Sequence, residues 1–133
     1  RFAYVYRSNK LQDELFNKRP KVTNARGGQS IHNYSLAFDI VLLYDNDGNG
    51  TFEEASWSTI RDFDKDSKAD WMEIVKYFKS KGWEWGGDWK KFKDYPHFQL
   101  RKPDGSSYKW QELNNLVANG KVIFDNGITY PKL

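Results

Sequence analysis

The sequence predicts an α+β fold, with a small, mainly antiparallel sheet and helices packed on one of its faces. Two kinds of segment carry that expectation. Trp71, Ile74, Val75 and Phe78 recur at i, i+3, i+4 and i+7 between Ala69 and Lys81, which lays an apolar stripe along one face of a helix. Ile40-Val41-Leu42-Leu43-Tyr44 is instead an unbroken aliphatic run of strand length and reads as a buried strand. The 133 residues suffice for one domain, residues 1–133, with a single modest core.

Taken in order, Phe2–Tyr6 is β-prone and forms a strand ending at Arg7-Ser8. Ser8 caps a short helix through Leu11, Gln12, Leu15 and Phe16. Pro20–Gly28 is a loop whose Gly27-Gly28 pair permits a turn of either hand. It leads into Gln29–Ile40, which holds His32 and Asp39. After the apolar run, Asp45, Asp47, Asn49 and Gly50 stand at positions one, three, five and six of a calcium loop, but Ser56 replaces the glutamate expected at position twelve. Glu53 or Glu54 could replace that ligand, whereas Asn-Gly and Asp-Gly are equally good hairpin signals. The plain turn is the favoured reading.

Ser67 is the expected cap of the 69–81 helix, and Gly82 its stop. Trp83–Trp89 reads as a tight aromatic turn; Gly86-Gly87 lets the backbone approach a ligand closely while Trp85 walls it. Pro96 is expected to extend the backbone at Tyr95 and turn Asp94 and His97 towards one face. A turn at Pro103-Asp104-Gly105 precedes a helix that starts at Ser107, runs through Trp110, Leu113, Leu116 and Val117, and ends at Gly120. The remainder is packing without chemistry.

Composition removes several classes of function. No run of about 18 apolar residues is present, so no membrane span is expected, and no signal peptide is expected ahead of the first strand. Cysteine is absent, which leaves His32 and His97, the only two histidines, as nitrogen donors for a metal. The formal charge of +3 is mild and spread along the chain; it leaves no footprint for nucleic acid and is compatible with an anionic surface such as a bacterial wall. Six tryptophans are enough to build a core and line a groove. A monomer is expected.

A carboxylate at the mouth of a buried strand is costly unless it is paired or holds a metal, and Asp39 is placed there. Singly, a histidine before a strand is more often a hydrogen-bonded or surface residue, and an aspartate at a strand edge a cap. Brought together by the fold, His32, Asp39 and His97 make a three-ligand site with an open position, the layout of a catalytic zinc.

The pattern Ser30-x-His32 with Asp39, followed by Asp94-x-Pro96-His97, resembles the zinc peptidases that cut peptidoglycan stem peptides: the D-alanyl-D-alanine carboxypeptidases and the L-alanyl-D-glutamate endopeptidases. The resemblance runs from about Tyr6 to Leu100. It includes Thr23-Asn24-Ala25-x-Gly27-Gly28 and Trp85-Gly86-Gly87-Asp88-Trp89, the latter found beside the catalytic groove in that family. It implies Zn²⁺ held by His32, Asp39 and His97, Asp94 as general base, and Arg7 meeting the oxyanion or a substrate carboxylate. Ser30 and Trp85 are expected to contact or orient the substrate. Asp-x-Pro-His resembles the endopeptidases, whereas Glu-x-Trp-His is typical of the carboxypeptidases, so cleavage of the L-alanyl-D-glutamate bond is the favoured expectation. Such enzymes are phage endolysins or bacterial wall hydrolases, acting outside the cell or at its wall, or held in the host cytoplasm before release.

Two departures from the family stand out. A glycine is usual where Ser35 stands; if that position needs φ > 0, Ser35 carries strain. The family's helix ahead of the first strand has no counterpart here, so the sequence is expected to be a fragment or to dispense with that element. Two other classes share features with this one. Non-haem iron oxygenases use two histidines and a carboxylate, but their first pair is usually two residues apart, against seven here. A wall-binding module would stack its aromatics on sugars, yet would have no need of Asp94.

Overall fold

A computed structural model describes residues 1–133. In chain order the elements are β1 (Phe2–Tyr4), α1 (Asn9–Asn17), β2 (Ala37–Ile40), β3 (Leu42–Tyr44), β4 (Glu54–Ser56), α2 (Asp70–Ser80), β5 (Trp83–Trp85), β6 (His97–Leu100), α3 (Trp110–Ala118), β7 (Val122–Asp125) and β8 (Ile128–Pro131). Short 3₁₀ turns occupy Ile31–Tyr34 and Gly86–Asp88. The central sheet has four antiparallel strands in the order β1-β2-β6-β5. The α+β architecture is the one the sequence predicts.

Side chains alternate across a strand, and here the alternation separates chemistry from core. Phe38 and Ile40 of β2, Phe98 of β6 and Trp85 of β5 point to one face, where they pack with Trp71 and Val75 of α2. Trp71 and Phe98 are fully buried, and each such side chain contributes about 1.5–3 kcal/mol relative to exposure. The opposite face carries Asp39, His97, Gln99 and Glu84. Register aligns them in a row, since Asp39 lies opposite His97 and Gln99 opposite Glu84.

Several local expectations are corrected. The run from Ile40 to Tyr44 is two strands that serve different sheets, because Leu42–Tyr44 leaves the central sheet to pair with Glu54–Ser56. At the break, Val41 exchanges hydrogen bonds with Arg1. Asp39 is consequently inside β2 and not at its mouth. Ser67 does not cap α2: its φ is 71°, its N–H donates to Asp62, and Ala69 occupies the cap position. Asp70 and Glu73 in the first turn complement the helix dipole instead. Ser107 does not start α3, because its hydroxyl is drawn to Glu84 and its backbone bridges Arg101.

Other expectations hold. Ser8 Oγ accepts from the Leu11 N–H at 3.1 Å and starts α1, and Gly82 ends α2 with φ 87°. The C-terminal segment is a hairpin, β7–β8, closed by Asn126-Gly127 with both φ positive. No helix is long and apolar enough to cross a membrane.

Candidate metal centre

His32 comes from the 3₁₀ turn Ile31–Tyr34, Asp39 from the middle of β2, and His97 from the first position of β6. Cross-strand pairing places Asp39 and His97 side by side. The turn that carries His32 ends at Ser35, whose φ of 58° reverses the chain into β2. The positive φ expected of that position is therefore present in a residue with a Cβ, and Ser35 Oγ is buried with no partner.

The three donor atoms form a nearly equilateral triangle. His32 Nε2 lies 3.2 Å from Asp39 Oδ1 and 3.2 Å from His97 Nδ1, and His97 Nδ1 lies 3.2 Å from Asp39 Oδ1. Their outward atoms are engaged elsewhere. His32 Nδ1 faces the Val5 carbonyl at 3.0 Å, His97 Nε2 faces Gln99 Oε1 at 3.0 Å, and Asp39 Oδ2 accepts from Arg7 Nη2 at 2.7 Å. Carbonyl oxygens only accept, so the imidazole protons sit on the outward nitrogens. Two lone pairs and a carboxylate oxygen then converge with no donor among them, in a place where His32 is 2% and His97 7% exposed. Such a cluster calls for a cation. Two imidazoles and one carboxylate are a zinc donor set, and a tetrahedron with bonds of about 2.0–2.1 Å has edges of about 3.3–3.4 Å. The residues fit the ion.

Burial pushes the Asp39 carboxyl up, but the two imidazoles beside it outweigh this and hold the group well below the usual carboxylate range. His97 is pulled down by burial and raised further by its contacts with Asp39 and Gln99.

Asp94 stands at the wall of a groove of about 620 Å³ that it shares with Thr23, Asn24, Trp89, Phe92 and Lys93. The surrounding walls raise its carboxyl above the ordinary range; the charge of His97 opposes this and that of Asp39 adds to it, so Asp94 lies within the field of the centre. It is held by backbone. Its N–H donates to the Gly86 carbonyl at 3.1 Å, and a Cβ on Gly86 would sit 2.4 Å from the Asp94 carbonyl oxygen. Only glycine permits that approach. The segment Asp94–His97 is a turn closed by the His97 N–H to the Asp94 carbonyl.

Arg7 borders a second, smaller groove with Tyr4, Lys18 and Thr23. Its Nε is buried and unpartnered. Ser30 precedes the His32 turn, where its N–H donates to Asn33 Oδ1 at 3.1 Å. Trp85 requires correction. It is 6% exposed, belongs to the core, and spends its indole N–H on the Tyr95 carbonyl. Trp89 is the groove tryptophan, with its ring 5.2 Å from that of His97. The largest groove on the molecule, about 650 Å³ along the outer side of α2, holds none of these residues. Donor convergence and burial mark the centre, not cavity size.

The Asp45–Glu54 loop joins β3 to β4 as a hairpin connection. Asp45, Asp47 and Glu53 offer oxygens within 4.8 Å of one another. The Asp45 carboxylate is already satisfied by the N–H groups of Gly48, Asn49 and Gly50, Glu53 accepts from the Asn46 N–H, and Glu54 pairs with Arg61. A second acidic turn lies outside the residues singled out from sequence: Asp62, Asp64 and Asp66 also converge. Counted from Asp62, Asp70 and Glu73 fall at places nine and twelve of a calcium loop. Here too the carboxylates are engaged, Asp62 by the N–H groups of Asp66 and Ser67, and Asp70 by Tyr44 and Phe63.

Residues 23–100, which include all three metal donors and Asp94, match the profile of the D-alanyl-D-alanine carboxypeptidase family. The chain belongs to that family. Among relatives of this peptidase family, it is 47% identical over 100 residues to the peptidoglycan L-alanyl-D-glutamate endopeptidase CwlK of Bacillus subtilis. That match covers 71% of this chain and 56% of CwlK, so the chain spans little more than half of that relative's length. In fold it is similar to the crystal structure of the L-Ala D-Glu endopeptidase ChiX of Serratia marcescens, with a TM-score of 0.51, 25% identity, and coverage of 80% of this chain and 69% of ChiX.

Proposed function

We propose that this chain is a zinc peptidase that hydrolyses the L-alanyl-D-glutamate bond of peptidoglycan stem peptides, and that it works as a monomer at the cell wall. The observation that carries the reading is the triangle of His32 Nε2, Asp39 Oδ1 and His97 Nδ1, three acceptors with 3.2 Å edges and no proton among them. The similarity to CwlK and ChiX, both named for that bond, supports the choice of substrate.

A bound zinc ion supplies a Lewis acid that polarises the scissile carbonyl and lowers the pKa of water to about 7. Asp94 takes the proton of the attacking water and returns it to the leaving amine; its raised proton affinity suits a group that must hold the proton between those steps. Arg7, whose Nη2 donates to Asp39 Oδ2, holds Asp39 to a single inward oxygen and brings positive charge beside the centre, where the oxyanion develops or a substrate carboxylate docks. Trp89 and Phe92 form the apolar side of the groove in which the peptide lies.

Digestion of purified peptidoglycan with product identification by mass tests this reading. The expected products are cut between L-alanine and D-glutamate, with activity lost to a zinc chelator and restored by zinc. Products lacking only the terminal D-alanine would replace the endopeptidase with a carboxypeptidase. Full activity after verified metal removal would overturn the metal mechanism.

A further inference from the structure

We propose that Gln99 and Glu84 are positioning residues that lock the His97 imidazole in the tautomer protonated at Nε2, which leaves Nδ1 free as the metal donor. The inference rests on the metal-centre reading in one respect, that His97 is a ligand.

The sheet face opposite the core carries a continuous polar row. Asp39 and His97 are cross-strand partners, His97 and Gln99 are two apart on β6, and Gln99 and Glu84 are again cross-strand partners. His97 Nε2 lies 3.0 Å from Gln99 Oε1, and Gln99 Nε2 donates to Glu84 Oε1. The second Glu84 oxygen accepts from Ser107 Oγ at 2.6 Å and lies 3.6 Å from Arg101 Nε. A primary amide has one donating and one accepting end, whereas a carboxylate only accepts. Glu84 therefore dictates which way Gln99 points, and Gln99 dictates which nitrogen of His97 bears the proton. With the amide reversed, its carbonyl would face a carboxylate and its NH₂ would face Nε2, driving the proton to Nδ1 and blocking the metal position. Glu84, His97 and Gln99 are 6%, 7% and 7% exposed, so water offers little substitute partner.

The contrast with His32 explains why a relay is needed. His32 stands on a turn at the sheet margin and meets a backbone acceptor, the Val5 carbonyl, whose orientation the chain fixes. His97 is the first residue of β6, where its N–H is used by the turn to the Asp94 carbonyl and its cross-strand partner is Asp39 of β2. A side chain must do there what a carbonyl does for His32, and a side-chain amide needs a third group to set its direction.

Two variants test the relay in the metal-stripped protein and in zinc titrations. Glu84→Gln keeps the volume but frees Gln99 to turn; Gln99→Leu removes the acceptor. Two-bond ¹H–¹⁵N NMR of the neutral imidazole reads the tautomer, and competition with a chromophoric chelator reads zinc affinity. The expected result is Nε2–H in the parent protein, a shift towards Nδ1–H in both variants, and zinc binding about 10- to 100-fold weaker. Should Gln99→Leu fail to fold, Glu84→Gln carries the test alone. Retention of Nε2–H with zinc affinity within about twofold of the parent overturns the relay. A tautomer shift in a protein whose parent form binds no zinc supports the relay and overturns the metal reading instead.

Discussion

The buried centre and the two acidic turns each gather three metal-capable side chains within 4.8 Å, yet they differ in what the gathered atoms lack. In the turns, carboxylate oxygens are met by backbone N–H groups: Asp45 takes Gly48, Asn49 and Gly50, and Asp62 takes Asp66 and Ser67. Their charge is solvated and their hydrogen bonds are internal to the loop. At the centre, the inward atoms of His32, Asp39 and His97 are all acceptors, and every outward atom is already committed. Proximity alone is thus poor evidence for a metal. What counts is convergence of unsatisfied acceptors away from water.

The largest effects are expected at the centre. His97→Ala or His32→Ala removes one of three donors and should abolish both stoichiometric zinc and wall lysis, whereas Asp45→Ala should leave both unchanged. Elemental analysis and lysis rates on the same preparations check this, and a fully active histidine variant would break the distinction. One step from the metal, Asp94→Asn should retain zinc while the hydrolysis rate falls by about two to four orders of magnitude. Neighbouring carboxylates offer no replacement, since Glu84 is buried on Gln99 and Ser107, and Asp88 is paired with Lys79 at 2.6 Å. Loss of zinc in that variant would make Asp94 a ligand.

Gly86→Ala sharpens the comparison by moving Asp94 without changing its chemistry. The added Cβ meets the Asp94 backbone at 2.4 Å, so the segment must shift. A displacement of about 1 Å at a reacting group can cost on the order of 10²-fold, and the rate should fall by about 10- to 100-fold with zinc still bound. Measured zinc content and kcat separate this outcome from a collapse of the centre.

The sequence made the His32, Asp39 and His97 cluster legible because its residue types are scarce: two histidines and no cysteine left few candidate ligand sets. The helical stripe of α2 was legible for a similar reason, its 3.6-residue period being long enough to count. What escaped notice depended on register. Ile40–Tyr44 reads as one strand until the pairing partners show that it serves two sheets. Trp85 and Trp89 look interchangeable in a tight aromatic segment, and only the strand-to-turn transition at Gly86 sends one to the core and the other to the groove. The Gln99–Glu84 relay is invisible without knowing that residues 15 apart face each other across β5 and β6. At the acidic turns the pattern beginning at Asp62 matches a calcium loop more fully than the one beginning at Asp45, and in both the first aspartate spends its oxygens on backbone N–H groups.

Smaller effects are expected where the hairpin β3–β4 meets α2. Tyr44 donates its hydroxyl to Asp70 Oδ2 at 2.6 Å. Burial and this bond push its pKa up to about 12. The folded value lies above the unfolded one, so the contribution is fully present below about pH 10 and is lost as pH rises towards 12. Tyr44→Phe should cost about 1–2 kcal/mol at neutral pH and flatten the alkaline limb of the stability curve, with zinc content and activity intact. A loss of zinc would show that this region is coupled to the centre after all.

The smallest effect is expected at Asp45, and it is the most direct test of what the acidic turns are. Hydrogen bonds from Gly50, Gly48 and Asn49 hold its carboxyl below the ordinary range. The folded pKa is depressed, so the stabilisation is present above the unfolded value of about 3.9 and disappears as pH falls through the folded one. Asp45→Ala should therefore lower Tm by about 1–3 °C at neutral pH, with the gap from the parent closing progressively below about pH 4. Because the carboxylate works through backbone N–H groups, the gap should be the same in chelator and in excess calcium. Thermal melts of the pair at both calcium levels decide the matter. A gap that widens with calcium would mean that the oxygens leave the N–H groups for an ion, and satisfied hydrogen bonds would then no longer distinguish an acidic turn from a metal site.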